Sequence, residues 1–423
     1  MCIYWHPPEH QLARPAAVTF GLERLEELDL ATLVADRDVY IQDRGDLASF
    51  NKLSDDEIIV PGSPPFFSPI TRRTEILLDA VNYDLQPRFP RYIYAFEPLL
   101  RAIEASSPGF NLFEATEMVS NASNLRKLFH IFQNRRRMVE RYDLEWRRGV
   151  LFLSKWTDDP SLNSSMGHGA GFEKATCRYA ESDSPLLHRS ASHHRVVRYS
   201  FASLELIVQS EVDAHYCACN HTPAPAPLPT PKHPRRRSST SPRTLKPPSL
   251  SSSPSIFAAL ALDDPGESPT FAASHPPTTT TLKPTVLKKL RIHRLGRDVP
   301  SHCLLEVKTH RAGMQTRGFA PEAQLYFSRR ALLYTAAHRA GVFVPEGVVV
   351  DKGRDLGVWE GESQAVLGRM GAFLGLLRRR AGEMAAEGRE RLSLVCESDG
   401  LGGPGVKAVL YVGQGGRLVP GDI

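Results

Sequence analysis

Apolar residues recur at helical spacing in four stretches of the chain. The two clearest stretches before its midpoint are residues 97–106 (EPLLRAIEAS) and 123–133 (SNLRKLFHIFQ), the second with Ser123 as its expected N-cap. Residues 321–340 and 362–386 show the same spacing in the second half of the chain. These four stretches predict helices.

Strand patterns alternate with these helices along the chain. Residues 142–146 and 150–156 flank Arg147, Arg148 and Gly149, which indicates a hairpin. The apolar and aromatic stretch 195–216 predicts two strands with a break near Ala202 and Ser203, and shorter strands are predicted at 303–309, 391–397 and 407–412. The order favours an α+β or α/β fold with a central mixed β-sheet flanked by helices.

Residues 222–285 follow neither pattern. This tract holds 15 of the 33 prolines of the chain, runs of Ser and Thr, and almost no aromatic residues. Such a composition buries too little apolar surface to offset its conformational entropy. We therefore expect a disordered insertion within one folded domain formed by residues 49–221 and 286–423, and residues 1–48 receive no assigned element.

Charge and cysteine content narrow the class of protein only slightly. The chain of 423 residues has a formal net charge of +5, but the tract 222–285 carries most of that excess, so the overall charge does not identify an anionic partner. Its six scattered cysteines suit a reducing compartment. No secretory signal or apolar stretch of about 20 residues is present, so we expect a nuclear or cytoplasmic protein without a membrane partner.

Three short acidic signatures are the strongest candidates for chemistry. They are Gly169–Glu173 (GAGFE), Glu211–Asp213 (EVD) and Glu306–Lys308 (EVK), the last two at apolar strand segments. In a strand, residues i and i+2 point to the same face, so each of the last two signatures presents a charged pair. If the two strands are neighbours, three carboxylates and one ammonium group meet.

Carboxylates at such close range predict a bound cation. They would repel one another and raise each other's pKa unless a cation held them, and hard oxygen ligands suit Mg²⁺ or Mn²⁺. A lysine beside the metal can assist a water molecule and stabilise charge on a phosphate. Charged pairs of this kind are also common on solvated strand faces, but these strands are apolar enough to be buried.

The same residues resemble the signatures of the decapping exoribonuclease family, a branch of the PD-(D/E)XK nuclease superfamily that acts on RNA 5′ ends. The similarity covers roughly residues 123–341. It implies metal ligation by Glu173, Asp213 and Glu306, with the Val307 carbonyl completing the shell. It also implies that Glu211 holds a metal-bound water and that Lys308 assists the nucleophile.

The chain departs from this family in two of its site positions. An arginine that the family places before a Leu-x-Lys-Leu helix is absent, because Ala122, Ser123 and Asn124 stand there, and Arg126 is the expected substitute. The family offers a glutamine from the helix after the Glu-x-Lys strand. Gln324 and His338 are both candidates for that role.

Residues 60–65 (VPGSPP), 124–128 (NLRKL) and 193–195 (HHR), with the Glu-x-Asp and Glu-x-Lys strands, also resemble uncharacterised fungal proteins. Some of those proteins are labelled geranylgeranyl pyrophosphate synthetase. Prenyl synthases resemble all-helical bundles with Asp-Asp-x-x-Asp helices, and the nearest string here, at Asp263 and Asp264, contains a proline. Prenyl transfer is therefore only a remote alternative.

RNA or another nucleic acid is the expected partner. Beside Arg126 and Gln324, the candidate contacts are the basic run Arg135, Arg136 and Arg137 and the histidine His194. The sequence thus favours metal-dependent hydrolysis of phosphodiester or pyrophosphate bonds. The competing interpretation is a non-catalytic binding or scaffold protein that retains the fold.

Overall fold

The computed structural model describes residues 18–33, 38–79, 92–156, 167–217, 290–313, 321–403 and 405–423, and the statements below concern those residues. The predicted insertion at 222–285 lies outside them. The described residues on both sides of that tract belong to one compact unit. Residues 18–33 and 38–48, which the sequence pattern left without an assigned element, contribute two strands to its main sheet.

The larger sheet of the described residues has eleven strands, mostly antiparallel. Its order from one edge to the other is β1 (Arg24–Glu27), β19 (Val406–Val412), β18 (Arg391–Asp399), β7 (Arg137–Arg147), β8 (Val150–Lys155), β6 (Met118–Asn121), β11 (Leu204–Val212), β10 (Ser192–Phe201), β2 (Gln42–Ser54), β3 (Glu57–Ile59) and β13 (Arg291–His293). The pairs β6–β8, β6–β11 and β3–β13 are parallel, so the sheet is mixed.

A second mixed sheet has eight strands. Its order is β5 (Thr74–Glu75), β16 (Val342–Phe343), β15 (Leu332–Arg339), β14 (Leu304–Arg311), β12 (Ala214–His215), β4 (Phe66–Phe67) and β9 (Cys177–Arg178), and β17 (Val349–Asp351) also pairs with β15. The chain passes from the first sheet to the second at Asp213, between β11 and β12.

Helices flank both sheets. They are α1 (Glu97–Ser106), α2 (Leu112–Ala115), α3 (Ala122–Gln133), α4 (Gly169–Thr176), α5 (Pro185–His188), α6 (Glu322–Ser328), α7 (Gly353–Glu362) and α8 (Gln364–Ala386). Leu125 and Leu128 of α3, Phe327 of α6 and Phe373 of α8 share one apolar cluster with the larger sheet. Leu99 of α1 belongs to a second cluster, so the larger sheet has a core on each face. None of the described helices is long and apolar enough to cross a membrane.

The predicted hairpin at 142–156 forms, and the two strands predicted on either side of Ala202 and Ser203 also pair as a hairpin. Strands β7 and β8 pair around Arg148 and Gly149, which both have positive φ angles. Strands β10 and β11 pair around Ala202 and Ser203, with φ angles of 50° and 64°. The helix at 97–106 and the strands predicted near 303–309, 391–397 and 407–412 also form, with ends shifted by up to two residues.

The predicted helix at 321–340 is wrong beyond its first turns. Arg329 adopts the left-handed conformation, with φ 55°, and ends α6 at Ser328. The following residues form β15, which pairs in parallel with β14 along seven positions, from Leu305↔Leu332 to Arg311↔His338. Pairing and burial in the second sheet outweigh the helical spacing of the apolar residues in this segment.

Two helix starts also differ from the prediction. Helix α3 begins at Ala122, so Ser123 lies inside it and is not the N-cap; Asn121 takes that position without a side-chain hydrogen bond. The helix predicted at 362–386 forms as α8, which begins two residues later, at Gln364. Helix α7, which precedes it and ends at Glu362, was not predicted.

Candidate metal and nucleic-acid site

The three acidic signatures meet where the two sheets adjoin. Strand β12 pairs with β14 in the register Ala214↔Leu305, which places Asp213 beside Glu306. The Val307 amide donates a hydrogen bond of 2.8 Å to Asp213 Oδ2. The predicted adjacency of the two signatures is therefore present, although Glu211 remains in the larger sheet while Asp213 lies at the crossing.

Helix α4 brings Glu173 to the same place. Asp79 accepts hydrogen bonds from the amides of Ala170 and Gly171 and so stabilises the first turn of the helix. Phe172 packs against Phe343, with ring centroids 4.6 Å apart, and fixes the helix on the second sheet. Glu173 is thereby held within electrostatic range of Asp213, Glu306 and Lys308.

Glu306 is the most heavily engaged carboxylate of the group. Its side chain is only 1% exposed and contacts three side chains from the second sheet and α6. Lys308 Nζ and Gln324 Nε2 bind Oε1, and Arg330 Nη1 lies 2.8 Å from Oε2. Arg126 of α3 donates to Gln324 Oε1, which extends the chain of polar contacts to the neighbouring helix.

Burial and like charge raise the pKa values of the other carboxyl groups. The pKa of Glu173 is raised well above its usual value, first by burial and then by Asp213. Burial and the neighbouring Glu306 raise the pKa of Asp213 to about 7. The pKa of Glu306 is lowered instead, because Arg330 and Lys308 together outweigh its burial.

These residues differ in exposure, and we call the group they form, Glu173, Glu211, Asp213, Glu306 and Lys308, the cleft. Glu306 is the most deeply buried of them, the side chains of Asp213 and Lys308 are 13% and 24% exposed, and Glu211 is exposed. Lys308 Nζ lies 3.7 Å from Asp213 Oδ2, and the pKa of Lys308 is raised by the neighbouring carboxylates of Asp213 and Glu306, which outweigh its burial.

The donor chemistry of the cleft fits a hard divalent cation. Four carboxyl groups interact, and Glu306 Oε2 is a buried oxygen with no hydrogen bond. Among the described residues, however, no group of three or more His, Cys, Asp or Glu side chains has the spacing of a preformed metal site. Glu173, Asp213 and Glu306 supply the right oxygen ligands for a metal, but in this arrangement Lys308, Gln324 and Arg330 occupy both oxygens of Glu306.

Of the predicted nucleic-acid contacts, Arg126 and Gln324 lie in the acidic cluster, where Gln324 hydrogen-bonds to both Arg126 and Glu306. His338, the alternative to Gln324, packs against His168 instead, with ring centroids 4.7 Å apart. Arg135 and Arg136 are exposed in the turn after α3, and Arg137 is exposed at the start of β7. Burial lowers the pKa of Arg126, and the nearby Arg136 lowers it further.

His194 does not lie on a surface that a nucleic acid can reach. It is 5% exposed, its ring stacks on Phe50 at 5.1 Å, and its two nitrogens contact Ser192 Oγ and Gln209 Nε2. Apolar neighbours in β2 and β10 bury the ring. The prediction that His194 contacts nucleic acid is therefore corrected: it is a residue of the core.

Two charged residues at the cleft were missed by sequence reasoning. Arg330 was assigned to the middle of a helix, so its contact with Glu306 could not be anticipated. Lys52 lies within electrostatic range of Glu211, and burial lowers its pKa. Its strand, β2, was not predicted at all, and a lone lysine between Asn51 and Leu53 carries no signal of its own.

The described residues form a mixed α+β protein with an acidic cluster where its two sheets adjoin, and solved structures share this fold. Rai1 from Candida albicans, solved with pU5 and Mn²⁺, has a TM-score of 0.55 at 10% identity over 94% of this chain and 97% of its own. Rai1 from Scheffersomyces stipitis, solved with (3′-NADP)⁺ and calcium, has a TM-score of 0.53 at 10% identity, covering 93% and 97%. Rai1 from S. pombe, solved with 3′-FADP, has a TM-score of 0.51 at 10% identity, covering 92% and 99%.

Sequence comparison adds little to this structural likeness. Residues 43–244 match a family model described as a domain of unknown function, DUF8563. No curated protein matches the chain. The structural likeness confirms the predicted fold class, and nothing in two mixed sheets supports the all-helical bundle expected of a prenyl synthase.

Proposed function

We propose that the chain is a divalent-metal-dependent hydrolase of phosphodiester or pyrophosphate bonds at RNA 5′ ends. One observation carries the proposal: Glu173, Asp213, Glu306 and Lys308, from three separate parts of the chain, converge in one cleft. Burying so many interacting carboxylates opposes folding unless cations compensate their charge. The Mn²⁺ and pU5 in the solved Candida albicans Rai1 support the same ligand chemistry.

The residues of the cleft have distinct roles under this proposal. Glu173, Asp213 and Glu306 would hold Mg²⁺ or Mn²⁺, which when bound supplies an activated water and neutralises phosphate charge. Lys308 is held between Asp213 and Glu306, where its ammonium group can stabilise negative charge on a phosphate oxygen. Arg126 and Gln324 border the same cleft and would orient the 5′ phosphate.

Product release from 5′-triphosphate, 5′-monophosphate and capped RNA in Mn²⁺ tests the proposal. Asp213→Asn and Glu306→Gln should each lower the rate by about a hundredfold or more, as losses of single charge-stabilising groups do in other enzymes. Glu205→Gln is the matched control, because Glu205 lies on β11 but pairs with Arg44 and Arg198 away from the cleft. Metal-dependent activity that survives both cleft substitutions would overturn the assignment of the site.

One observation favours a second function, a non-catalytic RNA-binding module. Arg330 and Lys308 already neutralise Glu306, so the cleft carries internal cations where an active site would place a metal. RNA that binds without any product in Mn²⁺, Mg²⁺ or Ca²⁺ would support the binding module over the enzyme.

A further inference from the structure

Glu306 of the cleft and Arg330 form a nearly fully buried ion pair. Their side chains are 1% and 2% exposed, and Arg330 Nη1 lies 2.8 Å from Glu306 Oε2. The two atoms do not form a hydrogen bond with each other, and neither has a hydrogen-bond partner among the described residues. The contact is thus a charge interaction on the one oxygen of Glu306 that Lys308 and Gln324 leave open.

A cavity beside Arg330 is a second place that its guanidinium group can occupy. Arg330 lines a cavity of about 460 Å³, together with the carboxylates of Asp43, Asp46 and Glu360. Arg329 pairs with Asp43 and Arg195 pairs with Asp46, so the cavity has three carboxylates against two arginines besides Arg330. This excess of one negative charge can receive the Arg330 guanidinium group when it leaves Glu306.

We propose that Arg330 is an internal counter-ion that competes with the divalent cation for Glu306, so that metal binding requires Arg330 to swing into this cavity. This inference rests on the metal site of the proposed function. A cation bound to Oε2 and a guanidinium 2.8 Å from the same oxygen exclude one another by charge and by contact. The protein therefore has a paired, metal-free arrangement and an open, metal-competent one.

The size of the effect follows from the population of the open arrangement. When only a fraction of molecules is competent, the apparent dissociation constant rises by the inverse of that fraction. If the ion pair holds about nine molecules in ten, removing it should tighten metal binding about tenfold.

Titration calorimetry with Mn²⁺ alone on the full chain tests this competition. Arg330→Gln should bind Mn²⁺ about tenfold more tightly than the wild type, whereas Arg330→Lys, which keeps the charge, should stay close to it. Arg329→Gln is the matched control: Arg329 is the next residue, lines the same cavity and pairs with Asp43, but does not contact Glu306. Circular dichroism establishes that each variant is folded.

The outcomes separate this inference from the proposed function. Wild-type binding that Glu306→Gln abolishes, with no gain in Arg330→Gln, would overturn the competition and leave the metal site standing. Weaker binding by Arg330→Gln would make Arg330 a support of the site and also overturn the inference. Binding by neither the wild type nor Arg330→Gln would overturn both, and binding by Arg330→Gln alone would support both.

Discussion

The buried residue His193 belongs to a group of hydrogen-bonded polar side chains in the core. His193 is 4% exposed, and its Nδ1 contacts Oδ1 of the fully buried Asn51. The side-chain amide of Asn51 in turn donates to the Ser63 carbonyl, Tyr179 and Ser190. Burial, with Arg195 as a further cause, lowers the pKa of His193 to about 3. The ring is therefore neutral in the folded protein at every ordinary pH.

This histidine makes stability depend on pH in a defined direction. Its folded pKa is below the unfolded value of about 6.5, so the unfolded chain binds more protons between those values and the free energy of unfolding falls as the pH is lowered. Between pH 7 and pH 5 one such group accounts for a loss of about 2 kcal/mol. His193→Gln, which can keep a donor to Asn51, should lose about 2 kcal/mol less than the wild type over that range in urea unfolding.

The control for this prediction is the exposed His188, whose replacement by Gln should leave the pH dependence unchanged. An identical pH dependence in His193→Gln and the wild type would mean that folding does not lower the pKa of His193. Residue chemistry of this kind was not predictable from sequence: His194 was a candidate nucleic-acid contact, whereas in the fold both His193 and His194 are buried in β10, which pairs with β2.

At the scale of elements, helix α8 docks on the β10–β11 hairpin through a glycine. A Cβ added at Gly371 would lie 2.3 Å from the Cβ of Ala202 in the hairpin turn, whereas a Cβ added at Gly375 would meet nothing within 4 Å. The two glycines are one helical turn apart, so they share backbone conformation and differ in contact. Gly371 is a docking residue, and Gly375 is not.

This pair gives opposite expected effects for the same substitution. Gly375→Ala should stabilise the protein by about 1 kcal/mol, the difference in helix propensity. Gly371→Ala gains the same propensity but forces the turn and helix apart, an overpacking cost of about 1–3 kcal/mol, so it should be neutral to destabilising. Urea unfolding measures both, and equal stabilisation by the two variants would exclude close docking at Gly371.

The elements also show which parts of the fold sequence reasoning can reach. The hairpins at Arg148–Gly149 and Ala202–Ser203 were predictable because a local break between apolar strands is enough to specify a turn. Strand β15 was not, because its helical spacing is overruled by pairing with β14. Strands β1, β2 and β13 gain their conformation mainly from sheet partners distant in sequence.

Across the whole molecule, the cleft is assembled from segments that sequence order keeps far apart. Short signatures identified Glu173, Asp213, Glu306 and Lys308 because each carries its charges at fixed local spacing. Arg330 and Lys52 have no such spacing, so only the folded chain reveals them as neighbours of the acidic group. The roles predicted for all of these residues await the activity and metal-binding experiments.

Charge distribution over the whole surface leads to the last prediction. Arg135, Arg136 and Arg137 are exposed beyond α3, whose Arg126 reaches the cleft through Gln324, so a single-stranded RNA held at the cleft would pass this arginine turn. Each phosphate that such a residue neutralises contributes about −0.7 to the slope of log affinity against log salt. Replacing all three by Gln should make that slope shallower by about 2 and weaken binding without a preference for RNA sequence.

The charge-matched control replaces Arg378, Arg379 and Arg380 on α8, where Arg378 pairs with Glu117 and Arg380 with Glu26. An equal change of slope in both triple variants would show that only overall charge matters, and no change in either would place the RNA elsewhere.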